Sequence, residues 1–191
     1  MKYTLTSTDA ELLEGCQHGH PLAQKYLYQR YFGQMIGISM RYTSNRCEAE
    51  DVLNQAFLKV FQNLHQYRGT GALGGWIAQI VFRTSIDFVR SHTTYRKVID
   101  FQSTYEGIIH NPALDNLAAE EILRLLHRIP KAARTVFSLY VIEGYKHHEI
   151  ADLLSISEGT SKWHLSEARK HLKKLLQPHI PSIVANELGN K

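Results

Sequence analysis

The stretch His147-His-Glu-Ile-Ala-Asp-Leu-Leu-Ser-Ile-Ser-Glu-Gly-Thr-Ser-Lys-Trp-His-Leu-Ser-Glu-Ala-Arg169 decides the reading of this chain. It spells a short helix, a tight turn and a longer helix. Ile150, Ala151, Leu154 and Ile156 supply a buried side, and the small Ala151 lets two helices approach closely. Ser157 is placed to cap the second helix, which in a helix-turn-helix enters a major groove. At about 100° per residue, Leu165, Ala168, Leu172 and Leu175 share one face of that helix. Thr160, Trp163, Ser166, Lys170 and Lys174 lie roughly opposite, flanked by Lys162, Arg169 and Lys173. A large aromatic among cations and hydroxyls suits a nucleic-acid surface. Cations meet phosphates, while the ring and hydroxyls reach base edges or thymine methyls. The competing reading is a solvated basic helix with Trp163 packed on a neighbouring loop.

Outward from this motif the periodicity is helical almost throughout, with no strand alternation. Thr8 and Glu11 fit a capping box before Leu12 and Leu13. A second helix is predicted from about Pro21 to Arg41. A third, capped by Asn45, runs from about Arg46 to His65, and a fourth from about Leu73 to Ser91. Between the last two lies Tyr67-Arg-Gly-Thr-Gly-Ala-Leu-Gly-Gly75, a loop with four glycines. From about Thr93 to Leu117 the periodicity fades around Asn111-Pro112. Helices resume near Ala118. Pro130 suits the first turn of the next helix, which continues to about Ile142, and Pro178 stops the last. The expected fold is all-α, two small helical domains joined by a flexible linker. The expected segments are 1–92, a linker at 93–117, a helix-turn-helix domain at 118–177 and a tail at 178–191.

The whole chain of 191 residues carries a net charge of +4. Residues 1–92 hold 9 basic and 7 acidic residues, and residues 118–177 hold 10 and 7. Neither domain is a polycation, so a shaped nucleic-acid contact fits better than a charged tail. The two cysteines, Cys16 and Cys47, are too few for a disulfide framework. The N-terminus has no apolar signal core and no run approaches a membrane span. The expectation is a soluble cytoplasmic protein with reduced thiols and no membrane insertion. Eleven histidines are present. The pairs His18/His20 and His147/His148 lack i, i+4 ligand spacing, so no metal and no cofactor is expected. No nucleophile elbow or paired catalytic carboxylates point to an enzyme, and no catalytic residue is assigned.

Ala49-Glu-Asp-Val-Leu-Asn-Gln-Ala-Phe-Leu-Lys-Val-Phe61 is the second informative stretch. Leu53, Phe57, Val60 and Leu64 form one face. Asp51, Asn54, Gln55, Leu58 and Gln62 form the other. A leucine centred on a polar face is a small interface signature, although single exposed leucines are common.

The segments Arg128-Ile-Pro-Lys-Ala-Ala-Arg-Thr-Val-Phe137, Gly144-Tyr-Lys-His-His-Glu-Ile-Ala-Asp-Leu-Leu154, Glu158-Gly-Thr-Ser-Lys162 and Ala168-Arg-Lys-His-Leu172 resemble region 4 of the sigma-70 transcription initiation factors. The stretch 49–61 resembles region 2.2. The glycine loop with Trp76-Ile-Ala-Gln-Ile80 and Ile86-Asp-Phe-Val-Arg90 resembles regions 2.3 and 2.4. Both halves occur in the order found in the small two-domain extracytoplasmic-function (ECF) group.

The resemblance implies two macromolecular partners, core RNA polymerase and promoter DNA. It is also compatible with control by an anti-sigma factor. It implies polymerase binding by Glu50, Asp51, Asn54, Gln55 and Leu58, with Glu50, Asp51, Gln55 and Phe57 matching the family motif. It implies −10 element binding by Tyr67, Arg68, Trp76, Arg83 and Arg90. It implies −35 element binding by Thr160, Lys162, Trp163, Ser166, Arg169, Lys170 and Lys173. A melted strand exposes base faces, which a flexible loop and aromatics receive while arginines hold phosphates.

Three positions depart from the family pattern. Ser155 stands where many members carry glycine, which predicts a strained turn. Ala56 stands where an acidic residue is usual, which predicts a polar face with one partner fewer for the polymerase. Arg83 stands where many members carry asparagine. For Trp76 core packing competes with base stacking, and for Arg83 a pair with Asp87 competes with DNA contact. At the level of the whole chain, a helix-turn-helix regulator that works without polymerase competes, as does a sigma mimic that titrates an inhibitor.

Overall fold

The computed structural model of the protein describes residues 3–96 and 117–176, and every regular element among them is helical. The chain divides into two compact units between Glu120 and Glu121. The first contains α1 (Asp9–Gln17), α2 (Pro21–Met40), α3 (Arg46–Asn63) and α4 (Leu73–Arg96). α5 (Leu117–His127) spans the division, and α6 (Lys131–Phe137), α7 (His147–Leu154) and α8 (Glu158–Leu176) follow.

Local chemistry accounts for most helix ends in the first unit. The Thr8 hydroxyl accepts from Glu11 N, and a Glu11 carboxylate oxygen accepts from Thr8 N at 2.6 Å, closing a capping box. The Asn45 side chain accepts from Glu48 N at 2.8 Å and starts α3. α3 leaves α geometry at Asn63, two residues before the expected end. A 3-10 turn over Leu64–Gln66 follows it.

α4 continues five residues past the expected Ser91, to Arg96. Nothing in 92–96 breaks a helix, since neither glycine nor proline stands there. The expected linker therefore begins helical. Its positions 97–116, and the tail beyond residue 176, lie outside the described residues.

The first core forms where α3 packs against α2 and α4, with α1 on α2. Leu12, Leu27, Ile36, Leu53, Phe57, Val60, Ile77 and Val81 are buried there. Tyr28 meets Phe57 edge-on, with ring centroids 4.7 Å apart. Cys16 is buried in the same core and Cys47 is exposed, and both are free thiols. Burial pushes the Cys16 thiol up to about 11, so it is an inert packing group.

In the second unit α6 and α7 pack on α8, burying Val136, Leu139, Ile150, Leu154, Leu165 and Ala168. Pro130 occupies the N-cap of α6 and not its first turn. The helix expected to run to Ile142 changes register at Ser138, where a π-helical turn covers Ser138–Ile142. Its closing bond runs from Glu143 N to Ser138 O at 3.0 Å. Gly144, at φ +78°, then lets Tyr145 N reach back to Leu139 O at 2.9 Å. The wide turn leaves Tyr140, Val141 and Ile142 exposed at the surface.

Ser155 carries the turn between α7 and α8 with φ 55° and ψ 47°. Among the described residues it is the one non-glycine at positive φ. The conformation lets Ile156 N donate to Ala151 O at 3.0 Å, so the turn closes at the cost of a crowded Cβ. A left-handed non-glycine residue costs about 1–2 kcal/mol, and glycine's extra freedom in the unfolded chain returns roughly 0.5–1 kcal/mol of that. Ser155→Gly is therefore expected to stabilise the second unit by about 0.5–1 kcal/mol. Ser155→Val is expected to destabilise it by more than 1 kcal/mol in magnitude, on the order of the β-branched penalty in this region. Urea denaturation followed by circular dichroism checks both signs. A Gly variant no more stable than wild type would contradict the left-handed turn.

Candidate functional site

α8 is held against its unit by one face, which leaves the other free. The Ser157 hydroxyl accepts from Thr160 N at 3.0 Å and fixes where α8 starts. The Thr160 hydroxyl lies 2.9 Å from the same Ser157 oxygen, so it is shared with the cap. Ser161 is fully buried, and its hydroxyl is 2.9 Å from His147 Nδ1 on α7. Leu165 and Ala168 are buried, and Leu172 and Leu175 are half-buried, as the wheel requires.

Lys162, Trp163, Ser166, Arg169, Lys170 and Lys173 are all exposed. Trp163 is 60% exposed, and its ring meets that of its neighbour His164 edge-on at 4.8 Å. Lys162 pairs with Glu158 at 3.5 Å and Lys170 with Glu167 at 3.8 Å. Exposed pairs of this kind contribute at most about 1 kcal/mol, so both lysines can turn to a phosphate at little expense.

Two supports of this helix were not legible on the wheel. The Tyr140 ring stacks on His147 with centroids 4.7 Å apart, and the Arg169 guanidinium stands 6.0 Å from the Tyr140 centroid. His147 thus braces α7 against Tyr140 and α8. No spacing rule connects Tyr140, His147 and Arg169, because the π-helical turn sets their geometry.

α3 shows the same division. Leu53, Phe57 and Val60 are buried, while Asp51, Asn54, Gln55 and Gln62 are exposed and Leu58 is 61% exposed. Glu50 lies at the edge of the polar face, half-buried, with its carboxylate 2.7 Å from Arg46 Nε. Asn54 Oδ1 accepts from the Tyr28 hydroxyl at 2.8 Å, which turns its amide donors away from Tyr28. Tyr28, on α2, is a member of this face that the α3 wheel alone could not include. Ala56 is fully buried. The expectation that alanine at position 56 deprives the polar face of a partner is therefore corrected. That position belongs to the core and not to the polar face.

The third group surrounds the glycine loop. Gly69 and Gly71 have φ of +72° and +90°. The Tyr67 hydroxyl donates to Gly71 O at 2.7 Å and folds the loop back on itself. The Tyr67 and Trp76 rings lie 5.6 Å apart, tilted by 48°. Both are half-buried and packed on the first core, so Trp76 serves packing and still presents an edge. Arg68, Arg83 and Arg90 are exposed. Asp87 pairs with Lys59 of α3 at 3.6 Å, and the competing Arg83–Asp87 pair is not formed among the described residues.

Residues 27–95 match the sigma-70 region 2 family model, and residues 119–172 match that of sigma-70 region 4. The chain belongs to the sigma-70 family. It is a sigma factor of the ECF group, directing RNA polymerase to promoters through regions 2 and 4, and it is not an enzyme. The ECF RNA polymerase sigma-E factor of Haemophilus influenzae is 25% identical over 183 residues, with 90% of this chain and 96% of that protein covered. The RNA polymerase sigma-H factor of Pseudomonas aeruginosa is 26% identical, covering 89% and 94%. The ECF sigma factor SigM of Bacillus subtilis is 25% identical, covering 78% and 92%. Among solved structures, the sigma factor RpoE bound to the anti-sigma factor NepR, from Bartonella quintana, aligns with a TM-score of 0.49 at 18% identity. That alignment covers 80% of this chain and 96% of that one. Among the described residues no helix is long and apolar enough to cross a membrane, and no cluster of His, Cys, Asp and Glu is arranged to hold a metal.

The outer face of α8 offers an aromatic ring and hydroxyls beside cations, and the two kinds of contact such groups can make with DNA separate experimentally. Removing a base contact costs about 1–3 kcal/mol on the cognate sequence alone, while removing a phosphate contact weakens all sequences. Trp163→Ala is expected to lower the sigma factor's preference for its selected promoter over one with a scrambled −35 element. Lys173→Ala is expected to weaken both DNAs alike. Fluorescence anisotropy with both duplexes reads the difference. Equal weakening by both variants would reduce this face to electrostatics.

Proposed function

We propose that residues 1–92 bind core polymerase and the −10 element, that residues 118–177 bind the −35 element, and that 93–117 act as the linker between them. Residues 178–191 follow as a tail. On this reading Glu50, Asp51, Asn54, Gln55 and Leu58 meet core polymerase. Tyr67 and Trp76 receive an unstacked base of the melted −10 strand, and Arg68, Arg83 and Arg90 hold its backbone. Arginine offers donors only, so Arg83 grips phosphate or an acceptor-rich guanine edge where an asparagine amide would read a base by both donor and acceptor. Thr160, Lys162, Trp163, Ser166, Arg169, Lys170 and Lys173 meet the −35 element, with Arg169 and Lys173 towards phosphates. The work is done in the cytoplasm, where core polymerase and chromosomal promoters meet.

The observation that carries this reading is the exposed Leu58 at the centre of the α3 polar face. Burying one well-packed leucine contributes about 1.5–3 kcal/mol to an interface, enough to anchor it when polar groups surround it. A regulator that bound DNA without polymerase would leave this face without a partner.

Leu58→Glu combined with Asp51→Arg is expected to abolish co-purification with core polymerase. Circular dichroism should stay unchanged, because both side chains are exposed and outside the core. Retained binding by the folded double variant would refute the assignment of this face.

A further inference from the structure

Gly74 is the second residue of α4, at the end of the glycine loop. A Cβ placed there would stand 2.9 Å from Tyr31 Cε1. That atom is in the middle of a ring that cannot easily give way. Tyr31 is only 8% exposed, and its hydroxyl donates to Asp9 Oδ2 at 2.5 Å. Asp9 is itself fixed, since Arg30 Nη1 donates to its Oδ1 at 2.7 Å. Arg30 also donates to the carbonyls of Leu5, at 2.8 Å, and Ser7. Five residues from three segments thus clamp one phenol.

The clamp holds its charge state. Burial pushes the Tyr31 phenol far above the ordinary tyrosine range, and the Asp9 bond and charge push it further. Tyr31 therefore remains a donor at every physiological pH. Burial pushes the Asp9 carboxyl up, but the Tyr31 and Arg30 bonds with the Arg30 charge outweigh it and leave Asp9 below its ordinary value.

Through Gly74, Tyr31 backs the end of the loop that begins at Tyr67 and leads into Trp76. Tyr67 and Trp76 both pack on the core cluster that contains Tyr31, and the Tyr67 hydroxyl donates to Gly71 O at 2.7 Å, three residues before Gly74. None of the clamp contacts involves the exposed face of α3.

We propose that Tyr31 is a positioning residue for promoter melting: its ring, anchored by Asp9 and abutting Gly74, sets the Tyr67–Trp76 pair in place before DNA arrives. The inference rests on the −10 role given above to Tyr67 and Trp76. Tyr31 needs no DNA contact. It removes motion from the groups that make one, and an aromatic slot built in advance spares the ordering cost at the moment of strand capture.

The test uses holoenzyme reconstituted from core polymerase and the full chain. The probe is a promoter selected by that holoenzyme from a random DNA library. Permanganate reactivity of melted thymines reports opening, and core affinity is measured in parallel. Tyr31→Leu and Gly74→Ala are each expected to slow opening by about tenfold or more, the scale of a small misplacement of reacting groups. Core affinity should be kept. The double variant should open no more slowly than Tyr31→Leu alone, because the added Cβ then has no ring to displace. If Tyr31→Leu does not fold, Tyr31→Phe, which keeps the ring and drops only the Asp9 bond, takes its place with a smaller loss of the same kind.

Wild-type opening by both single variants, while Tyr67→Ala fails to open, would overturn the positioning role and leave the −10 assignment intact. Losses in opening that merely track losses in core affinity or thermal midpoint would also overturn it. Normal opening by Tyr67→Ala would remove the −10 assignment and this inference with it.

Discussion

The packing of Leu53, Phe57 and Val60 of α3 against α2 and α4 is the constraint on which the first unit depends. A helix of 18 residues has one apolar stripe, and here that stripe is fully committed to the interior. The opposite face is therefore fixed in orientation by the same contacts that stabilise the fold. Leu58 is exposed because the stripe of Leu53, Phe57 and Val60 on the other side of the helix is buried, and no rotation of α3 can bury it without expelling Phe57. Rigid presentation follows from the core, which is what an interface needs if little ordering energy is to be lost on binding.

The second unit reaches the same end with less material. α7 has 8 residues, so its placement depends on special geometry at both ends. Ser155 accepts a left-handed backbone to turn the chain, and Ser157 caps α8 shortly after it. Before α7, the π-helical turn and Gly144 redirect the chain and bring Tyr140 onto His147. Backbone strain and a widened helical turn are what aim α8 outward, with Trp163 on its free face.

The sequence made the helices and their faces legible because period 3.6 is strong in α3 and α8, where one side is apolar and the other polar or charged. It marked Asn45 and Ser157 because capping demands particular side chains, and the family pattern, with glycine usual at position 155, pointed to the strained turn at Ser155. It could not show pairings between elements. Tyr28 with Asn54, Tyr31 with Asp9 and Gly74, and Tyr140 with His147 and Arg169 join residues whose separation follows no period. Ala56 was misread for a related reason: a motif compared by position carries no sign of which side faces the core. The register change at Ser138 escaped because Ser138–Ile142 is as helix-compatible in composition as the residues before it. The sites drawn from the family pattern were legible as motifs. That Asp87 turns to Lys59 and not to Arg83 took the packing of α4 on α3 to see.

Two outward faces on the first unit and one on the second make sense together only if one large partner and one DNA are engaged at once. On the proposed reading each surface that meets DNA is modest in charge, so neither unit alone provides the affinity of a strongly basic domain. The decisive measurement is run-off transcription by purified core polymerase, with and without the chain, from templates selected for binding the reconstituted holoenzyme. The account predicts a discrete transcript only when chain and core are both present, abolished when either the −10 or the −35 element is scrambled. Specific binding of the chain alone to the same DNA, with no transcript in the presence of core polymerase, would contradict it.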